Sequence, residues 1–147
     1  MSSPDPITIL LVEDDPGHAR LIEKNLRRGR VTNELIAIRD GKEAEDYIFC
    51  EGRYGGLQLP SPLLVLLDLN LPARDGFQIL QRLKSDDRTK LIPVVVVTST
   101  DDSRDVARCY ELGCNVFITK PVDYQKFCEA ITNLGLFLSV VSWPEGV

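Results

Sequence analysis

Side chains that could handle a phosphoryl group follow short apolar runs at four places in the sequence. Glu13 and Asp14 follow the first run, Asp68 and Thr98 end later runs, and Lys120 follows the last. Carboxylates packed together repel, which raises their pKa values unless a cation neutralises them. Oxygen ligands with room for water suit Mg²⁺. A carboxylate beside Mg²⁺, with a lysine and a hydroxyl nearby, can accept a phosphoryl group, so the pattern predicts an acyl phosphate on Asp68.

The apolar runs predict five β-strands that place these side chains together. Residues 7–12, 63–67 and 92–97 are the clearest runs, and 35–38 and 116–118 are weaker. They are continuously apolar, as strands covered on both faces by helices require. Strands that alternate with helices favour an α/β fold, a doubly wound parallel sheet. Ligands bind beyond the carboxyl ends of such strands, so we expect the polar side chains at one edge of the sheet.

Helical spacing fills the segments between the strands. Leu21, Ile22, Asn25 and Leu26 lie on one face of the first predicted helix, and the second is predicted to run over about 42–51. The third follows Asp75, and the fourth spans about 103–112. In the fifth, after Asp123, the apolar residues recur at steps of four, three and four: Phe127, Ile131, Leu134 and Leu138.

Composition excludes several classes of protein. The 147 residues predict a single domain over 1–147, with a core over about 7–138 and an apolar C-terminal tail over 139–147. Hydrophobic residues make up 44% and charged residues 27%, as in globular proteins. The net charge of −5 has the wrong sign for binding nucleic acid. His18 is the one histidine, which excludes a multi-histidine metal site, and it is interpreted as a surface residue.

The cellular setting is predicted to be the cytoplasm. The sequence starts without a secretory signal, and no apolar run approaches the roughly 18 residues of a membrane-spanning helix. The four cysteines lack Cys-x-x-Cys spacing, as is typical of reduced, buried thiols. We therefore expect a soluble protein with no membrane partner.

Four motifs, in this order, resemble the response-regulator receiver domain of two-component signalling. They are residues 11–15, 67–72, 97–99 and 119–121, and the resemblance extends from Ile7 to about Leu138. The resemblance implies a flavodoxin-like sheet of strand order 2-1-3-4-5. It also implies that the chain is a phosphoacceptor and not a turnover enzyme, with slow loss of its own phosphate.

The resemblance also assigns roles around the cation. Asp68 would be the phosphoacceptor, Asp14 a direct metal ligand, and Glu13 a ligand through metal-bound water. Asn70 would bind through its backbone carbonyl. The metal implied is Mg²⁺, for which Mn²⁺ or Ca²⁺ can substitute in crystals.

Further roles follow from the resemblance for the remaining motif residues. Thr98 and Lys120 would contact the phosphoryl group, and the peptide bond between Lys120 and Pro121 would be cis. Phe117 occupies the family's aromatic switch position, where many relatives have tyrosine. A switch that works through packing is therefore expected in place of one that uses a hydroxyl group.

Within this family, the chain is most similar to small stand-alone receivers that partner bacterial phytochromes. The similarity lies in the long connection 51–62, the Asp-Leu-Asn-Leu-Pro motif at 68–72, and the apolar tail with Trp143-Pro144. It implies a sensor histidine kinase, a bacteriophytochrome, as the phosphoryl donor. Only a short segment follows Lys120, so no output domain is expected. Output would be by protein contact, altered dimerisation or relay to a downstream phosphotransfer protein.

The tail carries more apolar residues than one helical stripe can bury. The residues concerned include Leu134, Phe137, Leu138, Val141 and Trp143. Exposed apolar patches of this kind mark interfaces, so the pattern predicts a homodimer through the last helix and tail. The alternative is that the tail folds back onto its own domain.

Structural explanations exist for several of these residues. Asp14 and Asp15 could cap the first helix, and the segment 68–72 could be a polar strand end. Two other functions also remain open: a phosphatase that forms an aspartyl phosphate, and a receiver-like module that is never phosphorylated. The first usually places a second acid two residues after the nucleophile, where this chain has Asn70.

Overall fold

A computed structural model of the chain describes residues 5–71, 75–99, 102–136 and 140. Within those residues, five β-strands and five α-helices alternate. The strands are β1 (Thr8–Val12), β2 (Leu35–Ile38), β3 (Leu63–Asp68), β4 (Val94–Thr98) and β5 (Val116–Thr119). The helices are α1 (Pro16–Arg28), α2 (Gly41–Ile48), α3 (Gly76–Ser85), α4 (Ser103–Glu111) and α5 (Tyr124–Asn133), with a short 3₁₀ helix at Gly52–Tyr54.

The strands form one parallel sheet in the order β2-β1-β3-β4-β5, which confirms the predicted fold class and strand order. Every residue of β3 is buried. Two separate apolar clusters cover the two faces of the sheet, as a doubly wound fold requires. In the register, Asp68 lies beside Val97, and Thr98 beside Thr119. The carboxyl ends of these strands therefore meet at one edge.

An aspartate caps the N-terminus of every α-helix in the described part of the chain. The five caps are Asp15, Asp40, Asp75, Asp102 and Asp123. Each side chain accepts a hydrogen bond from backbone N–H groups that would otherwise lack a partner. Part of the acid excess in the composition is thus structural. Asp15 caps α1, as one interpretation of the sequence held, and Asp14 is not the cap.

Two helices end earlier than the sequence pattern predicts. Helix α2 ends at Ile48, short of Glu51, and Cys50 follows it with a φ of 55°. Helix α5 ends at Asn133, so Leu134 lies just beyond its last turn, and Gly135 has a φ of 70°. Left-handed backbone after a helix is a usual way to stop it, and apolar periodicity does not detect it.

The start of the tail packs against its own domain. Leu134, Leu136 and Val140 are partly buried against the apolar cluster that includes Phe127 and Ile131. The alternative in which the tail folds back is therefore realised for these residues. Phe137, Leu138, Val141 and Trp143, which the dimer prediction also uses, lie outside the described residues.

Other sequence expectations about exposure have mixed outcomes. Of the apolar residues on the predicted common face of α1, Leu21 is 46% exposed, whereas Ile22 and Leu26 are buried. Cys109 and Cys114 are buried, and Cys50 and Cys128 are half-buried; all four thiols are free. Among the described residues, no helix is long and apolar enough to cross a membrane.

Gly76, at the start of α3, packs directly on the backbone of the strand that carries Asp68. Its N–H donates to the carbonyl of Leu69 at 2.9 Å. A Cβ at this position would lie 2.4 Å from the Asp68 carbonyl oxygen and 2.6 Å from the Leu69 Cα. Backbone atoms cannot move aside cheaply, so only glycine allows this close approach.

We expect Gly76→Ala to lower the free energy of unfolding by about 2 kcal/mol, because α3 must move away from β3. Urea unfolding followed by circular dichroism measures this change. Gly17→Ala is the matched control: its Cβ would meet only a side-chain oxygen, of Asp15, at 3.1 Å. Alanine favours the helix there, so the control should be neutral or slightly stabilising. Equal stability of the Gly76→Ala and wild-type proteins would contradict the packing argument.

Candidate functional site

Three carboxylates converge at the carboxyl edge of the sheet. Glu13 and Asp14 directly follow β1, and Asp68 is the last residue of the neighbouring strand β3. One oxygen from each lies within 4.8 Å of the others. Glu13 and Asp68 are buried, at 2% and 4% exposure, whereas Asp14 is exposed. The cluster therefore has two acids held away from water and one that faces it.

Lys120 supplies the positive charge for the two buried acids. Its Nζ donates to Asp68 Oδ2 at 2.9 Å and forms a short ion pair with Glu13 Oε1. Its backbone N–H donates to the Thr98 carbonyl at 2.8 Å, which attaches the β5–α5 connection to the end of β4. The peptide bond to Pro121 is cis, in agreement with what the resemblance implies.

Burial alone raises the pKa of an acid and lowers that of a base, and the neighbouring charges add to or oppose these shifts. Burial, followed by the neighbouring Asp68 carboxyl, raises the pKa of Glu13 from 4.5 to about 7, although Lys120 opposes the rise. Burial alone would lower the pKa of Lys120, but the Glu13 and Asp68 carboxyls outweigh it and raise that pKa. Lys120 therefore stays charged, and it does not fully compensate the acids around it.

The residues after Asp68 form a tight turn. The backbone N–H of Asn70 donates to Asp68 Oδ1 at 3.0 Å, a side-chain turn typical of aspartate. With Lys120 on Oδ2, both carboxylate oxygens of Asp68 have a partner. The polar strand end that one interpretation proposed thus exists and coincides with the acid cluster. The predicted ligand role of the Asn70 carbonyl stays a prediction.

Two further predicted residues lie close to this edge. Thr98 is fully buried at the end of β4, one strand over from Asp68. Phe117 is half-buried on β5, beside Val96 of β4, and packs against the apolar cluster on one face of the sheet. The predicted contact of Thr98 with a phosphoryl group and the packing switch at Phe117 stay predictions.

His18 is close to the acid cluster, which the sequence interpretation missed. The imidazole is 50% exposed, yet its Nδ1 lies 3.0 Å from Lys120 Nζ and 3.6 Å from Glu13 Oε1. It belongs to the first turn of α1, which starts directly after the acids that follow β1. That position, at the same edge of the sheet, is the signal that could have identified it.

The donor set fits a divalent cation. When all are ionised, the three carboxylates carry three negative charges and Lys120 returns one positive charge, which leaves a deficit of two. Glu13 Oε1 is buried and accepts no aligned hydrogen bond from the described residues, despite its ion pair with Lys120. An oxygen-only site with one solvent-exposed ligand has the character that Mg²⁺ prefers.

A parallel α/β sheet of this strand order, with acids and a lysine at its carboxyl edge, is the arrangement of a response-regulator receiver domain. The family model described as "Response regulator receiver domain" matches residues 9–132, so the chain belongs to this family. The response regulator Rcp1 of Synechocystis sp. is 37% identical over 95% of this chain and 94% of its own length. The resemblance predicted from the four motifs is thereby confirmed.

Solved structures place the chain near phytochrome response regulators. The bacteriophytochrome response regulator AtBRR is 41% identical, with a TM-score of 0.82 over 97% of this chain and 99% of its own. The Mn²⁺-bound form of Rcp1 is 36% identical, with a TM-score of 0.74 over 95% of this chain and 99% of its own. A divalent cation in a relative of this similarity agrees with the acid cluster found here.

The raised pKa of Glu13 makes the stability of the metal-free protein depend on pH. The folded protein binds this proton more tightly than the unfolded chain, because the pKa is about 7 against 4.5. The free energy of unfolding should therefore fall as the pH rises from about 5 to about 8, by about 2 kcal/mol relative to Glu13→Gln. Urea unfolding with a chelator, at a series of pH values, measures this fall.

Addition of Mg²⁺ should remove most of that pH dependence, because the cation takes over the neutralisation of the Glu13 carboxylate. Asp75→Asn, which changes an acid outside the cluster and keeps a capping side chain, should follow the wild-type curve. Parallel pH curves for the wild type and Glu13→Gln would show that Glu13 is not the group responsible.

Proposed function

We propose that this receiver accepts a phosphoryl group on Asp68 from a phosphohistidine of a sensor kinase, with Mg²⁺ at the acid cluster. The observation that carries the proposal is the arrangement around Asp68. Its carboxylate lies next to those of Glu13 and Asp14, and Lys120 Nζ is 2.9 Å from its Oδ2. An acid that only maintains the fold does not require two further acids and a buried ammonium around it.

In the proposed transfer, a carboxylate oxygen of Asp68 forms the new O–P bond, and the P–N bond of the phosphohistidine breaks. The leaving imidazole nitrogen keeps the bonding electron pair. Because the second ring nitrogen of the phosphohistidine carries a proton, the donor leaves as neutral histidine, without oxidation or reduction. Such transfers depend on in-line positioning and on neutralisation of the peripheral oxygens. Lys120 neutralises one oxygen, and the Thr98 hydroxyl is proposed to contact another.

The cation would be held by Asp14 directly, by Glu13 through water, by Asp68 and by the carbonyl of Asn70. When bound, it neutralises charge on the transferring group. Mg²⁺ is the expected ion, and the Mn²⁺-bound form of Rcp1 supports a site that accepts either metal.

The proposed phosphoryl donor is a bacteriophytochrome histidine kinase in the cytoplasm. Support comes from the relatives, since AtBRR is described as a bacteriophytochrome response regulator and RcpA as a phosphorylated phytochrome response regulator. RcpA is 38% identical, and its phosphorylated form supports phosphorylation of this group of receivers. With a net charge of −5, the expected output is protein contact, dimerisation or relay, without nucleic acid.

A turnover phosphatase is the competing function within the same chemistry, and we propose that the chain is not one. Asn70 stands two residues after Asp68, where such enzymes place a second acid, and its N–H is hydrogen-bonded to Asp68 Oδ1. An amide cannot act as a general acid or base at that position. Multiple turnover of small phosphate esters would overturn this assignment.

Phosphorylation is testable with a small donor. Incubation with Mg²⁺ and acetyl phosphate should add one phosphoryl group per chain, measured by intact-protein mass spectrometry. We expect no adduct in Asp68→Asn and a rate at least about tenfold lower in Lys120→Met, because the buried negative charge then lacks its cation. Asp75→Asn is the control and should react like the wild type.

An equal adduct in Asp68→Asn would refute Asp68 as the acceptor, and no adduct in the wild type would favour the unphosphorylated binding module. Phosphotransfer profiling against the sensor kinases of the same organism then tests the partner. Transfer from a phytochrome kinase should be the fastest of the set; preference for an unrelated kinase would contradict the proposed donor.

The homodimer predicted from the apolar tail is tested by light scattering after size exclusion. Twice the chain mass is expected, and truncation before Gly135 should shift the protein towards monomer if the tail forms the interface. Leu134 and Leu136 already pack against their own domain, so the apolar surface left for an interface must come from other tail residues. A monomer at tens of micromolar, with and without phosphorylation, would refute the dimer.

A further inference from the structure

The ammonium of Lys120 has a third neighbour that the proposed phosphoryl chemistry does not use. His18 Nδ1 lies 3.0 Å from Lys120 Nζ, across 102 positions of sequence. The two side chains differ in exposure, 50% for His18 and 13% for Lys120. The contact joins the first turn of α1 to the β5–α5 connection at the mouth of the acid cluster. It therefore links the two segments that flank Asp68.

The chemistry of the two groups fixes the direction of this contact. An ammonium has three donors and no acceptor, so the Nδ1 of His18 must be the acceptor. The proton of the neutral ring then resides on Nε2, which lies 3.8 Å from Asp15 Oδ2. The Asp15 carboxylate attracts an N–H on that side, although Glu13 Oε1, 3.6 Å from Nδ1, acts in the opposite direction. His18 is thus oriented to accept from Lys120.

Two of the three partners of the Lys120 ammonium also belong to the proposed cation and phosphoryl site, and the third does not. Asp68 Oδ2 and Glu13 Oε1 belong to the proposed phosphoacceptor and to the cation site. A bound cation or a new O–P bond competes with Lys120 for those oxygens. His18 is the partner that is not a carboxylate, and it stands outside the three-carboxylate cluster. Its hydrogen bond to Lys120 does not have to be given up when the carboxylates are occupied.

The surroundings of the contact favour a lasting hydrogen bond. His18 and Lys120 line a cavity of about 270 Å³ whose other walls are mostly apolar, formed in part by Ile22, Pro121 and Val122. Ser99 is the one other polar residue in the lining that the structure describes, so the walls offer few competing acceptors and reduce the water around the ammonium. A hydrogen bond to a charged group gains strength in such surroundings.

We propose that His18 is a positioning residue that holds the ammonium of Lys120 over Asp68 while the carboxylates engage the cation and the phosphoryl group. This inference rests on the proposed function, in which Lys120 neutralises a phosphoryl oxygen. His18 itself touches neither the acceptor nor the transferred group. Its effect must therefore pass through Lys120, and that requirement makes the proposal testable.

The first test compares two substitutions of His18 that differ in whether the new side chain has a hydrogen-bond acceptor. His18→Leu keeps a side chain of similar bulk without an acceptor, and His18→Gln restores an acceptor oxygen. The rate of phosphorylation by acetyl phosphate with Mg²⁺ should fall about three- to tenfold in His18→Leu and recover most of that loss in His18→Gln. Lys24→Gln, an exposed change on the same helix, should leave the rate unchanged.

The second test is a double-mutant cycle with Lys120→Met. If His18 acts through Lys120, His18→Leu should cause no further loss in the Lys120→Met protein. A loss of the same size in both backgrounds would overturn the proposal, and so would equal rates for His18→Leu and the wild type. Failure of His18→Gln to recover the rate would assign the effect to packing and equally overturn it.

A spectroscopic measurement separates this inference from the proposed function. In the metal-free, unphosphorylated protein, the ¹⁵N-edited signal of the Lys120 ammonium should exchange with water faster in His18→Leu than in the wild type or His18→Gln. The ammonium of Lys84, which donates to the Ile92 carbonyl at 2.6 Å, is the internal reference. A Lys120 signal unaffected by His18→Leu overturns the inference whether or not Asp68 is phosphorylated. A wild type that is never phosphorylated overturns the proposed function and, with it, the role of His18 in the transfer.

Discussion

Two buried carboxylates that share one ammonium are the constraint on which this receiver depends. Glu13 and Asp68 are almost fully buried, and Lys120 contacts both. An uncompensated buried charge costs several kcal/mol, so removal of the lysine would leave either acid strongly unfavourable. One ammonium cannot balance two buried acids and the neighbouring Asp14. Burial and the neighbouring Asp68 carboxyl raise the pKa of Glu13, and the unbalanced negative charge of the cluster favours a divalent cation.

The fold can support this costly arrangement because the sheet behind it is rigid. Asp68 ends a strand with every residue buried, and α3 starts at a glycine that lies directly on the Asp68 backbone. The backbone of Lys120 is hydrogen-bonded to Thr98 at the end of the next strand. This packing opposes a movement of the strand ends that would separate the acids. Electrostatic repulsion at the site is opposed by hydrophobic burial elsewhere in the domain.

Sequence reasoning predicted what depends on local pattern and failed where distant segments meet. Continuous apolar runs gave the five strands, and the polar residues at their ends gave Glu13, Asp68 and Lys120, because parallel strands bring their carboxyl ends together. The early stop of α5 depends on the backbone of Gly135, which apolar periodicity does not report. His18 was interpreted as a surface residue of the first helix, and half its side chain is exposed; its contact with Lys120, which spans 102 positions, was not predicted.

The charge balance also indicates how a phosphoryl group on Asp68 would change the positions of residues beyond it. Three ionised carboxylates, one ammonium and a divalent cation sum to zero. A dianionic acyl phosphate on Asp68 replaces one negative charge by two, so the site gains one uncompensated charge. Further donors must turn towards it, and Thr98 lies on the adjacent strand. Because the carbonyl of Thr98 holds the backbone of Lys120, a shift of Thr98 moves the lysine and the start of the β5–α5 connection together. A local change of charge would thereby be coupled to two strand ends, and this coupling is a way in which a receiver domain can alter its surface.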